Sequence, residues 1–178
     1  MEEALAQTMP PATVSVLDSF AELYERSFPR VYAYVASLLR DRSAAEDVTA
    51  QAFERAYRKR GSYRPGRGTP EAWLFGIARN AALDELRRRR RQAPTALEPE
   101  DLTSPAAEDH AELSLRRETL RAAMADLDPR ERDLLSLKFS GGLSNAEIAL
   151  VLRTTESNAG TRLHRTVTKL RKACDEHR

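Results

Sequence analysis

The chain has 178 residues, with 29 lysines and arginines against 27 aspartates and glutamates and a formal net charge of +2. That length fits one or two small domains, and no apolar run approaches the ~20 residues of a membrane span. No basic stretch leads into an apolar one at the N-terminus, the single Cys174 rules out an internal disulfide, and His110, His164 and His177 lack ligand spacing. The sequence therefore reads as a cytoplasmic protein without a membrane association, a metal or another cofactor.

The small net charge hides a strong segregation. Residues 52–91 hold twelve lysines and arginines against four acids, whereas residues 92–114 hold six acids and no basic residue. Charge separated along a chain in this way points to an anionic partner for the basic part.

Residues 1–15 have no hydrophobic period and contain Pro10-Pro11, so a mobile N-terminal tail is expected there. From Leu17 the pattern turns helical, with Phe20, Leu23, Tyr24, Val31, Val35 and Leu38 on one face and Pro29 predicted to kink or split the run. Ser43-Ala-Ala-Glu46 has the spacing of a capping box, which predicts a new helix from Ser43. Ala45, Val48, Ala52, Phe53 and Ala56 face inward on it. Asp47, Gln51, Glu54 and Arg58 form a polar stripe on another face, which on pattern alone is the wet side of an amphipathic helix.

Residues 61–68 (G-S-Y-R-P-G-R-G) read as a loop. Tyr63, Arg64 and Arg67 within it combine a ring with guanidinium groups, as in platforms for an unstacked base. The glycines lack the spacing and the Lys-Ser/Thr of a phosphate-binding loop. Thr69 can then cap a helix, with Pro70 at its first position and Glu71 near the positive end of its dipole. Trp73, Leu74, Ile77, Ala78, Ala81, Ala82 and Leu86 share a broad apolar arc. The opposite face carries Gly76, Arg79, Asn80, Asp84, Arg87 and Arg90, interrupted by Leu83. It runs out into five arginines, Arg87 to Arg91. A helix end complementing its dipole accounts for one or two of them, while five repel one another unless an anion answers. Nucleic acid is the favoured partner, because phosphate contacts dominate such binding.

Residues 92–111 contain Pro94, Pro99 and Pro105 among acids and small side chains, a composition that cannot form a core and predicts a flexible linker. The domains expected on either side are 16–91 and 112–178. In the second, Leu113, Leu120, Met124 and Leu127 suggest a helix. Asp128-Pro129-Arg130-Glu131 starts another, bearing Leu134, Leu135, Leu137 and Phe139 and stopping at Gly141-Gly142. Ser144-Asn145-Ala146-Glu147 caps a short helix with Ile148, Ala149 and Leu152 inward. Thr155 caps a last one from Glu156 to about Lys172. Ala159, Leu163, Val167 and Leu170 face in there, while Asn158, Thr161, Arg162, Arg165 and Lys169 face out. The fold class expected is all-α, with two small helical domains. The last two helices are the pieces of a helix-turn-helix, although a plain helical bundle would show the same apolar spacing.

Three stretches together resemble a known family. Residues 44–57 (A-A-E-D-V-T-A-Q-A-F-E-R-A-Y) are similar to region 2.2 of bacterial sigma factors, and 73–90 (W-L-F-G-I-A-R-N-A-A-L-D-E-L-R-R-R-R) to regions 2.3 and 2.4. Residues 127–139, 142–149 and 162–165 are similar to region 4. Their order and spacing, over about 155 residues, match RNA polymerase sigma factors of the extracytoplasmic-function (ECF) type within the sigma-70 family. The resemblance implies a promoter-specificity subunit with no catalysis of its own. It places Asp47, Gln51 and Glu54 on the clamp helices of the polymerase largest subunit. It assigns recognition and melting of the minus-ten element to Tyr63, Arg64, Arg67, Trp73, Arg79, Asn80, Asp84, Arg87, Arg88, Arg90 and Arg91. Contact with the minus-thirty-five element falls to Thr155, Ser157, Asn158, Thr161, Arg162, Arg165 and Lys169. The implied partners are core RNA polymerase, including the flap of its second-largest subunit, promoter DNA and an anti-sigma factor. The linker is similar to the family segment that threads the polymerase.

Two positions depart from the family pattern. Arg153-Thr154 stand where a glycine and an aliphatic residue are common, and Ser157-Asn158-Ala159-Gly160-Thr161 where G-T-V-K-S is common. Gly160 weakens its helix by up to ~1 kcal/mol, which implies an upstream element of unusual sequence or weak binding. The competing readings are a helix-turn-helix regulator that works without polymerase, which leaves the first domain idle, and a nuclease. The acids lie at caps or in the linker rather than converging as a nuclease requires.

Overall fold

The start of the first helix departs from the expectation of a tail. Helix α1 runs Pro11–Leu39, opening inside the proline pair and passing through Pro29 without ending. This computed structural model describes residues 11–92 and 111–176, with side-chain environments for 19–92 and 113–176. Leu23, Val31, Tyr34, Val35 and Leu39 are buried along one face of α1.

Helix α2 (Arg42–Arg58) begins one residue before the expected Ser43, and its cap is Asp41. The Asp41 carboxylate accepts from the Ala44 amide at 2.9 Å and from Arg89 Nη2 at 2.7 Å. Glu46 binds Arg42 rather than closing a box on Ser43. Two candidate caps lie two residues apart, and the arginine arriving from a later helix favours the aspartate. That backbone hydrogen bond and Arg89 hold the Asp41 carboxyl below its usual range. Ala45, Val48, Ala52, Phe53 and Ala56 are buried as the period predicts.

Two single 3₁₀ turns, Arg60–Ser62 and Pro65–Arg67, fill the loop before helix α3 (Pro70–Gln92). Thr69 Oγ1 accepts from the Ala72 amide at 3.1 Å, so this helix starts where its cap chemistry places it. Its buried residues are Ala72, Leu74, Phe75, Ala78, Ala81 and Ala82. Trp73, Ile77 and Leu86 pack at the margin of that core. The alanines let α3 lie close against α1 and α2.

The second half comprises α4 (Ala111–Ala125), α5 (Pro129–Leu135), α6 (Asn145–Leu152) and α7 (Glu156–Glu176). Asp128 and Ser144 both form complete capping boxes, with Glu131 and Glu147. The Thr155 hydroxyl accepts from the Asn158 amide at 3.2 Å at the start of α7. After α5 the chain widens into a π turn, Ser136–Ser140, closed by the Gly141 amide donating to the Ser136 carbonyl at 2.8 Å. Phe139, which the sequence groups with Leu134, Leu135 and Leu137 on this helix, lies in that turn and is 69% exposed while the three leucines are buried. Leu113 and Leu120 are also exposed, and among the described side chains of α4 only Ala123 is buried, with Leu127 just beyond it. The linker segment 93–110 lies outside the described residues.

The two halves share one apolar core. Val31, Val35, Leu74 and Phe75 from the first belong to the same cluster as Leu134, Leu137, Leu143 and Ile148 from the second. Phe75 is fully buried where α1, α3 and the π turn meet, its ring centroid 5.6 Å from that of Tyr34. A Cβ on Gly141 would lie 2.8 Å from Phe75 Cε1 and from the Leu137 carbonyl, so only glycine allows this approach. Burial of a phenylalanine side chain contributes about 1.5–3 kcal/mol. Phe75, which stands outside the apolar arc read from the sequence, thus joins the two halves.

Candidate nucleic-acid interface

The loop and the first turns of α3 bring six of the eleven residues expected at the minus-ten element to one groove, while Asp84 and the arginine run lie outside it. Tyr63, Arg64, Arg67, Trp73, Gly76, Arg79 and Asn80 line a volume of about 630 Å³, whose far wall is Leu150 to Arg153 at the end of α6. The Tyr63 ring leans on Trp73 with centroids 5.7 Å apart, and its hydroxyl donates to the Gly68 carbonyl at 3.0 Å. The ring is therefore a half-buried buttress of the loop rather than the open platform its composition suggested. Arg64 Nη1 donates to the Gly61 and Tyr63 carbonyls, which closes the loop on itself. Gly68 adopts φ 131°, and a Cβ there would meet Leu150 Cδ1 at 2.5 Å. Asn80 is exposed on the groove wall.

The arginine run divides into two kinds of residue. Arg87 pairs with Asp84 at 2.9 Å, Arg88 with Glu85 at 2.8 Å, and Arg89 with both Glu85 and Asp41. These acids answer part of the repulsion that the sequence left to an outside anion. Hydrogen bonds from Arg88 and Arg89 hold the Glu85 carboxyl below its ordinary range. Arg90 and Arg91 are exposed and meet no carboxylate among the described residues. Asp84 is exposed and occupied by Arg87.

Asp47, Gln51 and Glu54 are all exposed along α2, and no α2 residue lines the groove. Glu54 is engaged by Arg58 one turn on, and Asp47 and Gln51 stand open to solvent. One face of α2 therefore offers a polar stripe to a partner.

In the second half, α6 and α7 form a helix-turn-helix around Arg153, which adopts φ 53° as the left-handed C-cap of α6. Only a few per cent of non-glycine residues adopt positive φ, so Arg153 meets at a backbone cost the geometry that glycine supplies without one. Thr154 completes the turn by donating its amide to the Ala149 carbonyl at 2.9 Å. Thr155, Ser157, Asn158, Thr161 and Arg165 are exposed on the first turns of α7, with Arg162 half-buried beside them. Asn158 Nδ2 donates to Thr154 Oγ1. Lys169 is tied to Glu131 at 2.7 Å, which joins α7 to the cap of α5.

A polar cluster between the halves escaped the sequence reading. Asp133 on α5 has a side chain only 6% exposed. Its Oδ1 accepts from the Tyr34 hydroxyl at 2.8 Å, and its Oδ2 from Arg79 Nε at 2.7 Å. Burial, followed by the Asp133 charge, pushes the Tyr34 hydroxyl well above its ordinary range. At the edge, Arg30 donates to the Gly141 and Gly142 carbonyls at 2.8 and 3.1 Å, and the Thr69 hydroxyl donates to Glu147 Oε1 at 2.8 Å. Glu147 is partly buried, which opposes ionisation, but hydrogen bonds from Ser144 and Thr69 outweigh this and hold its carboxyl low. The sequence signal for the cluster was a charge on an apolar arc, since Asp133 stands four residues before Leu137.

Comparison with known proteins agrees with this architecture. The sigma-70 region 2 profile matches residues 23–92, and the sigma-70 region 4 profile matches 117–170. RNA polymerase sigma factor CarQ of Myxococcus xanthus is 38% identical over 162 residues, covering 89% of this chain and 91% of CarQ. The ECF RNA polymerase sigma factor SigK of Mycobacterium ulcerans is 29% identical over 162 residues, covering 89% of this chain and 87% of SigK. Among solved structures, sigma factor RpoE from Bartonella quintana, in complex with the anti-sigma factor NepR, superposes with a TM-score of 0.71 at 22% identity. It covers 90% of this chain and 99% of RpoE. A helical pair of regions 2 and 4 in one chain defines a transcription initiation factor. The chain belongs to the sigma-70 family of RNA polymerase sigma factors, in its ECF group. The family consists of initiation factors rather than enzymes. Among the described residues no helix is long and apolar enough to cross a membrane.

Proposed function

We propose that this chain binds core RNA polymerase through α2 and directs it to promoters by reading two DNA elements with separate helices. Asp47, Gln51 and Glu54 meet the clamp helices of the largest subunit, and region 4 rests on the flap of the second-largest. Arg79, Asn80 and the preceding loop read the minus-ten element and help to melt it. Arg87, Arg88, Arg90 and Arg91 hold its phosphates, while Trp73 and Tyr63 shape the groove wall. The exposed start of α7, from Thr155 to Arg165, enters the major groove of the minus-thirty-five element, with Lys169 beyond it. The acidic linker passes through the polymerase towards its active cleft. The protein works in the cytoplasm and is held in check by an anti-sigma factor, as Bartonella quintana RpoE is found with NepR.

The observation that carries this reading is the polar stripe of α2, which no other described element covers. A regulator working through its helix-turn-helix alone has no use for such a face. Purified chain mixed with core polymerase tests it. Wild type should co-elute with core, and Asp47→Arg with Gln51→Ala should weaken that binding while the helical signal and melting midpoint stay unchanged. Equal binding by the double variant would return the stripe to a merely solvated face.

A further inference from the structure

The turn of the helix-turn-helix holds a side-chain pair with no part in its backbone geometry. Thr154, half-buried just before α7, accepts on Oγ1 a hydrogen bond from Nδ2 of the exposed Asn158. Both residues stand where this sequence departs from the family pattern. Thr154 replaces a common aliphatic residue, and Asn158 lies in the stretch S-N-A-G-T. The two departures therefore meet in one bond.

The first turns of α7 narrow the choice of base reader. Ala159 is buried, and Gly160 turns toward α6, where an added Cβ would meet Asn145 Nδ2 at 3.5 Å. Ser157, Asn158 and Thr161 are the short exposed side chains that remain. A hydroxyl both gives and accepts a hydrogen bond, so Ser157 and Thr161 suit several base edges. A carboxamide holds donor and acceptor side by side. That pair matches the N6 amino group and N7 of adenine in the major groove.

We propose that Asn158 reads an adenine in the upstream promoter element and that Thr154 is its positioning residue. The proposal rests on the assignment of α7 to that element and names a base that the helix selects. A carboxamide nitrogen carries one hydrogen beside the carbonyl oxygen and one turned back toward the stem of the side chain. Thr154, one turn back at the foot of α7, takes the backward hydrogen. Oδ1 and the second hydrogen then face the groove together. Guanine shows two acceptors there, so its O6 opposes Oδ1, and cytosine and thymine each offer a single polar partner.

The hydroxyl of Thr154 acts before DNA arrives. An exposed amide that turns freely must be immobilised on binding, and that ordering lowers affinity. One already held by Thr154 meets the base in its reading orientation. The backbone task of Thr154 is separate, because its amide donates to the Ala149 carbonyl at 2.9 Å whatever the side chain carries. The hydroxyl can therefore be removed without removing the turn.

Holoenzyme assembled from the full-length chain and core polymerase provides the test. A promoter pool randomised over the upstream element first locates the bases that wild type selects. One of them should be an adenine whose advantage falls by about 5- to 150-fold in Asn158→Ala, the range of one bidentate pair. Preferences at the other positions should persist. At that adenine, 7-deazaadenine lacks the N7 acceptor and should weaken wild type by about three- to tenfold, with no effect on Asn158→Ala. This arm uses wild-type protein, so it stands even where a substitution unfolds the domain. Thr154→Val keeps the side-chain shape and loses the acceptor. It should lower affinity for the adenine site alone by about two- to tenfold, and Thr154→Ser should restore it.

An adenine preference that survives in Asn158→Ala, or wild type that tolerates 7-deazaadenine at every adenine of the element, overturns the base assignment. Equal losses at all positions in Thr154→Val, or a loss shared by Thr154→Ser, overturn the positioning role. Wild-type holoenzyme that selects no base in the upstream element would instead defeat the assignment of α7 itself, so the two failures are distinguishable.

Discussion

Arg79 of α3 and Asp133 of α5 are 54 residues apart in sequence and meet at 2.7 Å, with the aspartate almost fully enclosed. One residue belongs to the face expected to read DNA and the other to a short helix of the second half. Their pairing joins two units that composition alone separates at the linker. It also gives the buried Tyr34 hydroxyl a partner, so that three elements converge on one carboxylate.

The Tyr34 hydroxyl supplies a pH test of this convergence. Its ionisation is pushed upward in the folded chain, first by burial and then by Asp133. A group whose folded pKa is raised contributes stability that is fully present below its unfolded value, near pH 10 for tyrosine, and lost as pH rises further. The urea midpoint of wild type should therefore fall steeply above about pH 10, with a shallower fall in Tyr34→Phe. At neutral pH that variant should be less stable by about 1.5–3 kcal/mol, because a buried carboxylate loses a donor. Parallel alkaline limbs in the two proteins would show that Tyr34 ionises freely in the fold.

The five arginines should separate by partner. Arg89 is half-buried between Asp41 and Glu85, so Arg89→Ala should lower stability by about 1–3 kcal/mol and loosen the start of α2. Arg90 and Arg91 touch no carboxylate among the described residues, so their double replacement by Ala should change stability by less than ~0.5 kcal/mol. It should instead lower the salt dependence of DNA binding by about two units of slope, one for each phosphate that no longer meets an arginine. Denaturation and binding across a salt series measure the two effects separately. If the Arg90/Arg91 variant keeps the wild-type slope, these residues do not touch phosphates.

Gly160 offers a stabilising substitution. A Cβ there would sit 3.5 Å from Asn145 Nδ2, an ordinary contact at the crossing of α6 and α7. Gly160→Ala should therefore gain most of the propensity difference, up to ~1 kcal/mol, and raise the melting temperature. A fall in melting temperature would mean that the helix-turn-helix needs the closer approach.

Local chemistry was legible in the sequence, and remote pairing was not. The starts at Thr69, Asp128, Ser144 and Thr155 depend on side chains bonding amides within three residues, and each appears as expected. The start of α2 differs from expectation because Asp41 and Ser43 are both competent caps, and Arg89, 48 residues away, decides between them. Phe139, grouped in the sequence with Leu134, Leu135 and Leu137, lies in the π turn and is exposed. Tyr63 beside two arginines suggests an open stacking surface, but its ring has a partner in Trp73 ten residues on. Asp133 was the largest omission. A carboxylate on an apolar arc announces that a partner exists, while its identity depends on how two halves dock.

Asn80 provides the sharpest test of base reading, because its neighbour has a second task that it lacks. Asn80 is exposed on the groove wall, one residue after Arg79 with its bond to Asp133, and bonds to no described side chain. Its amide can pair with a base edge through one donor and one acceptor, so Asn80→Ala should cost about 1–3 kcal/mol on the preferred minus-ten sequence. On a scrambled sequence the loss should be small, since phosphate contacts persist there. The fold should be untouched, because Asn80 lies off the buried face of α3. Arg79→Ala should behave differently. It removes a DNA contact and also the cation that pairs with the buried Asp133, so its binding loss should be accompanied by a lower melting temperature. Open-complex formation by holoenzyme on matched and mismatched promoters resolves the two residues. Equal losses for Asn80→Ala on both promoters would assign that side chain to phosphate or to structure.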